Sequence, residues 1–385
     1  MKNFVYSIPT NIYFGKGQVE KLGKILAPYG RKVLLVYGGG SIKKNGIYDT
    51  VTGLLEEAKM SWEELSGVEP NPRITTVRRG AQLCREKAIE VVLPIGGGST
   101  IDCAKMVAAA ACYDGDAWDL VKNGRAIKKA LPIVSILTLA ATGSEMDTFA
   151  VISDMDSHDK IGTGSPLLRP AASILDPSYT ESVSAYQTAA GTADIMSHIF
   201  EAYFSRTDGY MQDRMAEGLL KTCIEFGVKA VEEPQDYEAR ANLMWASSWA
   251  INDFISLGKP VAWSVHPMEH ELSAYYDITH GVGLAILTPH WMRYVLNEDT
   301  APKFKAYGVN VWGIAKELPD MEAAGLAIEK TAEYFRQLGL PSTLTEVGID
   351  DQLFEEMAEK VVPQLKYAFM PLDKEAIVSI YRAAL

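Results

Sequence analysis

The sequence predicts an α/β domain built on a parallel sheet, followed by an all-helical domain. Three observations predict it. Short apolar, β-rich runs in the first half each stop at glycine or at small residues. Segments with helical spacing lie between them. After Leu175-Asp176-Pro177 the β-rich runs nearly vanish and long helical stretches take over.

Taken in order, Gln18 to Leu26 has helical spacing, and Lys32 to Tyr37 (KVLLVY) is a buried-strand run that stops at three glycines. Glu90 to Ile95 (EVVLPI) repeats the pattern and stops at three more, and Asp102 to Cys112 is again helical. Ile133 to Leu139 (IVSILTL) stops at Ala-Ala-Thr-Gly. Apolar runs of this length suit strands covered on both faces, and strand, helix, strand in series argues for a parallel sheet. In the second half Ala185 to Phe204, Met211 to Val231 and Glu322 to Leu338 read as helices. Pro177 and its neighbours mark the change, which places an α/β domain at 1–181 and an all-helical domain at 182–385.

A chain of 385 residues, 48% hydrophobic and 22% charged, can bury a large core without staples. The formal net charge of −12 disfavours a nucleic-acid partner. Cys84, Cys103, Cys112 and Cys223 form no CxxC pair and read as reduced core thiols. The first ten residues lack the apolar stretch of a signal peptide, and no apolar run reaches the ~18 residues of a membrane span. The expectation is a cytoplasmic protein with no membrane partner.

Two strand ends carry Gly-Gly-Gly-Ser: Gly38, Gly39, Gly40 and Ser41, then Gly96, Gly97, Gly98 and Ser99. Glycine lets backbone amides approach a phosphate, and a helix starting at the second turn adds free amides and a positive dipole end. Each turn alone is equally a tight turn of an ordinary α/β domain, since neither is a GxGxxG fingerprint. Together they point to a dinucleotide, with Asp102 just beyond the second turn among the candidate contacts. An acidic residue usually reads the ribose 2′-hydroxyl after such a strand. Here glycines stand in that place, followed by Lys43 and Lys44, which favours NADP(H) over NAD(H). The third turn, Thr138 to Glu145, offers the hydroxyls of Thr138 and Thr142 to a cofactor.

The helical half holds a second constellation. Asp194 and His198 are four apart in GTADIMSHIFEAYF, which puts both on one helix face. His266 and His270 are four apart in HPMEHELSAYYDITHG, and His280 opens the next apolar stretch. A lone histidine in such company is usually a hydrogen-bonded core residue. An aspartate and several histidines in an apolar setting, without an evident charge partner, instead suit a divalent transition metal. Trp245, Phe254, Trp263 and Trp291 are read as core packing before pocket lining.

These motifs carry a resemblance. IYFGKG from Ile12, YGGGSIKKNGIYD from Tyr37, PIGGGSTIDCAK from Pro94, TGSEMD from Thr142, LDPSYT from Leu175, GTADIMSHIFEAYF from Gly191 and HPMEHELSAYYDITHGVGLAIL from His266 resemble the iron-containing (group III) alcohol dehydrogenases. The similarity runs to the butanol dehydrogenase and broad aldehyde reductase branch. It implies a dehydroquinate synthase-like fold, a homodimeric assembly, and hydride transfer between NAD(P)H and a short-chain aliphatic alcohol or aldehyde. By position in the motifs it implies Asp194, His198, His266 and His280 as metal ligands, with iron first and zinc second. It implies His270 in proton handling. It also implies cofactor contacts at both glycine turns, Thr138 and Thr142, and at Asp147, Lys160 and Tyr179. Alternatives within the fold are the zinc-using dehydroquinate synthases and glycerol dehydrogenases. Outside it stand a metal hydrolase and a non-catalytic nucleotide sensor.

Overall fold

A computed structural model describes residues 2–385. Six strands form one parallel sheet in the order β1-β8-β5-β4-β2-β3. They are β1 (Asn11–Phe14), β2 (Lys32–Val36), β3 (Ser61–Leu65), β4 (Val91–Gly96), β5 (Val134–Leu137) and β8 (Ala172–Leu175). Two more, β6 (Phe149–Asp154) and β7 (Asp159–Gly164), form an antiparallel hairpin.

The continuous apolar runs are buried on both faces. Val33, Leu35, Val91, Leu93, Val134 and Ile136 pack into one core. Their sequence neighbours Leu34, Val36 and Val92 pack into another on the opposite face. Alternate side chains point to opposite faces of a strand, so a strand with both faces covered has no solvent-facing position, and a polar side chain there needs an internal partner, as Ser135 of β5 finds in Ser173 of β8 at 2.7 Å. The three runs that announced strands are all present: the first is one residue shorter, the second is shifted by one, and the third is three residues shorter. β8, a fully buried run of four residues, was not announced by the sequence. β1, β3 and the hairpin had no such run to announce them. Their exposed or half-exposed positions dilute the apolar signal, as in Ser61-Trp62-Glu63-Glu64-Leu65.

Two compact units divide the chain. One comprises Ser7–Val183 and Gln235–Ser248; the other includes Ser184–Pro234 and Trp249–Leu385. The α/β unit therefore takes back a segment that the single boundary at 181/182 assigns to the helical half. Among the described residues no strand follows Leu175. The helical unit is organised around the Ala185–Tyr203 helix, whose residues from Thr188 onward are all buried. A helix apolar on every side belongs in the middle of a bundle. Ser184 caps its start, accepting from the Gln187 amide at 3.3 Å. Three cysteines are buried, and Cys112 is half-buried; all four are free thiols. Among the described residues no helix is long and apolar enough to cross a membrane.

Candidate metal centre and dinucleotide turns

Asp194, His198 and Glu201 share one face of the Ala185–Tyr203 helix. His266, Glu269 and His270 lie on the Val265–Tyr276 helix, which Asp277 ends with a left-handed φ of 51°. Three residues later His280 starts the His280–Val295 helix. That helix lies very close to the first one. A methyl group added at Gly281 would sit 2.0 Å from the Ala190 carbonyl oxygen. Only glycine permits this approach, which carries His280 up to Asp194.

Three imidazoles converge on one oxygen. Asp194 Oδ1 lies 3.6 Å from His198 Nδ1, 3.9 Å from His266 Nε2 and 3.8 Å from His280 Nε2. A tetrahedral set with bonds of about 2.1 Å places its donor atoms about 3.4 Å apart. The observed spacing is slightly wider. Asp194 Oδ1, His198 Nδ1 and His266 Nε2 are buried and have no hydrogen-bond partner among the described residues. Burial pushes the pKa of His198 down to about 4, which keeps the imidazole neutral and able to coordinate. A divalent cation fits this set, and it would satisfy all three orphaned atoms.

Two glutamates orient the rings. Glu201 accepts from His266 Nδ1 at 3.2 Å and from the amides of Ser264, Val265 and His266 at 2.6, 2.8 and 3.1 Å. It caps a helix start and fixes a ring in one stroke. Burial works against its charge, but the hydrogen bonds from His266 and these amides hold its carboxyl below the usual range. Glu269 bonds His280 Nδ1, leaving Nε2 on the Asp194 side. Sequence reading passed over both glutamates. The signal was present: Glu201 follows His198 by three, and Glu269 follows His266 by three. His270 is half-buried, its ring centroid 5.5 Å from that of His280.

In the α/β unit, β2, β4 and β5 are neighbours, so the three turns that follow them leave one sheet edge side by side. Ligands of open parallel sheets bind outside such carboxyl ends. After β2, a methyl added at Gly39 meets no atom within 4 Å. Lys43 lies 3.6 Å from Glu64 and over the rings of Tyr37 and Tyr48. Glu64, from β3, is a further residue that sequence reading missed. After β4, Gly96 ends the strand and the Gly98–Ala110 helix begins. A methyl at Gly98 would lie 2.2 Å from Thr142 Oγ1, so the third turn rests against the helix start. The Ser99 hydroxyl is engaged with the Pro70 carbonyl, and the Thr138 amide bonds the Gly96 carbonyl at 3.0 Å.

The remaining candidates lie in the same α/β unit. Asp102 accepts from Ser144 Oγ at 2.6 Å and the Val151 amide at 2.9 Å, and burial pushes its pKa up to about 6. Asp147 accepts from Lys105 Nζ at 2.6 Å and from the Phe149 amide at 2.8 Å, so its carboxylate is occupied within the protein. Lys160 is buried in β7 opposite Ser153. Tyr179, half-buried in the Pro177–Thr180 turn, has its phenol pushed up to about 12 by burial.

The iron-containing alcohol dehydrogenase model matches residues 9–177, and the C-terminal model of the same family matches residues 188–385. The chain belongs to the iron-containing alcohol dehydrogenase family. It is thus a metal-dependent oxidoreductase that interconverts alcohols and aldehydes with a nicotinamide cofactor. It is 58% identical to NADH-dependent butanol dehydrogenase A of Clostridium acetobutylicum, with 99% of each chain covered. It is 39% identical to the NADPH-dependent aldehyde reductase YqhD of Escherichia coli, over 94% of this chain and 93% of that one. The crystal structure of NADH-dependent butanol dehydrogenase A from Thermotoga maritima superposes with a TM-score of 0.95. That protein is 38% identical, with 100% of this chain and 99% of the other covered. Among iron-containing alcohol dehydrogenases, then, the likeness extends over the whole length of both units.

Proposed function

We propose that this chain reduces short-chain aliphatic aldehydes of the butanal type, and oxidises the corresponding alcohols, with NADP(H) and one Fe(II). Zinc is the second candidate metal. The observation that carries this reading is the convergence of three ring nitrogens on Asp194 Oδ1, with three buried atoms left unpartnered. Asp194, His198, His266 and His280 are the proposed ligands. The substrate class is taken from relatives named for butanol and for aldehyde reduction.

When bound, the metal supplies Lewis-acid polarisation of the substrate oxygen and the nicotinamide supplies or accepts the hydride. The chain supplies position. Glu201 and Glu269 hold Nδ1 of His266 and His280, so the opposite nitrogen of each ring faces Asp194. His270 moves the proton between the alcohol oxygen and solvent. The glycine turns at 38–41 and 96–99 hold the phosphates through backbone amides. Thr138, Thr142, Asp102, Asp147, Lys160 and Tyr179 complete the cofactor site as direct contacts or as supports of the turn. In this reading the dinucleotide belongs to residues up to 181 and the metal to residues from 182, in a cytoplasmic homodimer.

Cofactor choice rests on the first turn. The open space at Gly39 and the adjacent Ser41 and Lys44 favour a 2′-phosphate. A second reading, NADH, is favoured by Glu64, which neutralises Lys43, and by the name of the Clostridium relative. The test is cofactor oxidation by the Fe(II)-loaded protein with a C2 to C6 aldehyde panel, for NADPH and NADH side by side. NADPH and butanal give the higher kcat/KM, and Gly39→Asp lowers the NADPH-to-NADH ratio about tenfold or more. An unchanged ratio in that variant contradicts the role given to the turn.

A further inference from the structure

Ahead of the Val265–Tyr276 helix, Trp263 has φ +45°. A bulky residue in the left-handed region is strained and persists only where its surroundings over-determine it. Those surroundings are visible. The Ala262 amide donates to the Glu201 carbonyl at 2.9 Å. The Ser264 and Val265 amides donate to the Glu201 carboxylate at 2.6 and 2.8 Å. One glutamate therefore grips the chain on both sides of Trp263, by its main chain before and its side chain after.

The result is the placement of the indole. It stands edge-on to His266, with centroids 5.1 Å apart and planes at 88°, and edge-on to His198 at 6.4 Å and 83°. It is only half-buried. Core packing needs no such strain: Trp291, 2% exposed, sits within the regular His280–Val295 helix. Nor do the imidazoles need the indole for a hydrogen bond, since Glu201 already takes His266 Nδ1. Of the two readings the sequence left for Trp263, core packing before pocket lining, its half-buried place edge-on to two imidazoles favours the second.

We propose that Trp263 is a specificity-determining residue: its indole walls the substrate site beside His198 and His266 and selects unbranched over α-branched aldehydes. The proposal rests on the metal-site reading above. A substrate whose oxygen is held at the ligand cluster carries its first carbons within a few ångströms of the ligand rings. A flat side chain fixed there meets a branch next to the carbonyl before it meets the far end of the alkyl chain. The fixed backbone matters because a wall that can swing aside discriminates less.

The test compares wild type with W263G and W263F, each loaded with Co(II) as a spectroscopic metal. Three quantities are read: metal per chain, the shift of the cobalt absorption on titration with 1-butanol or 2-ethyl-1-butanol, and kcat/KM for butanal and 2-ethylbutanal. W263G keeps its metal and raises the 2-ethylbutanal-to-butanal ratio about tenfold or more, with W263F between it and wild type. The alcohol titrations move in the same direction without turnover. Should W263G fail to fold, W263F carries the comparison. Unchanged ratios with full metal content overturn the proposal. Metal loss in both variants also overturns it, because the ring then only braces its neighbours. A different result, in which Asp194→Asn takes up cobalt as well as wild type, sinks the metal-site reading itself.

Discussion

Two aspartates, one in each unit, are buried almost equally: Asp147 is 4% exposed and Asp194 is 3%. Asp147 faces Lys105, whose Nζ is 2.6 Å away and bonds the Phe149 carbonyl as well. Asp194 faces three imidazoles, one of them pushed well into the neutral range. A buried carboxylate needs a cation, because its desolvation is worth several kcal/mol. The α/β unit builds that cation into the chain. In the proposed reading the helical unit leaves the position to a metal ion from outside, and two further carboxylates, Glu201 and Glu269, orient the rings. The difference separates a structural ion pair from a site.

The largest effect that can break this comparison is at Asp194. Asp194→Asn should lower metal affinity by more than about 100-fold and abolish turnover. The same change should leave the metal-free protein as stable as before or more so, since it removes a buried charge without a fixed partner. Metal analysis after dialysis and melting of metal-free protein read the two halves of the prediction. If the metal-free variant is strongly destabilised, Asp194 has a protein partner after all and the contrast with Asp147 collapses.

Next comes the internal pair. Lys105→Met leaves Asp147 buried without its cation and should cost about 3–5 kcal/mol of unfolding free energy. Metal content should stay at the wild-type level. Replacing both partners, Lys105→Met with Asp147→Leu, should recover most of the loss, because apolar groups of similar volume need no charge partner. Urea melts of the three variants measure it.

A smaller effect tests the ring supports. Glu201→Gln keeps the shape and one acceptor but removes the charge that favours a metal-bound imidazole. Metal affinity should fall about 10–100-fold, visible in competition with a chelator, while the α/β unit's cofactor affinity is unchanged.

The smallest effect concerns Glu145, a buried acid in the α/β unit that has neither a lysine nor a metal. It accepts from Ser248, and burial pushes its pKa up to about 7 from an ordinary 4.5. The folded protein therefore holds this proton more tightly than the unfolded chain does. Its contribution is fully present below about 4.5 and is lost as pH rises through about 7. His198, held neutral down to about 4, gives the protein an opposing slope, so the Glu145 term is read as the difference in unfolding free energy between wild type and Glu145→Gln, which should decline across that window. An identical pH profile in the variant contradicts the assignment.

Much of this was legible in the linear chain because it depends on local pattern. KVLLVY, EVVLPI and IVSILTL read as strands since a doubly covered strand is apolar at nearly every position. Asp194 and His198, or His266 and His270, read as pairs because helix spacing fixes their common face. Glu63-Glu64 in β3 hid a strand, and the charges that hid it include the carboxylate that holds Lys43. Glu201 and Glu269 were passed over because a glutamate in a helix is ordinarily solvated, and only burial reveals that it is not.

By itself, then, the sequence determined the order of elements, the two kinds of architecture and the residue types able to hold a metal or a phosphate. These follow from periodicity, backbone freedom and donor chemistry, all of them properties of neighbouring residues. The tertiary structure decided which groups meet. Strand order put three glycine-ended turns on one edge, and the close approach at Gly281 brought His280 to Asp194. Glu201 turned Trp263 against the imidazoles. Contacts between residues dozens of positions apart depend on how helices and strands pack, and no spacing along the chain encodes that packing directly.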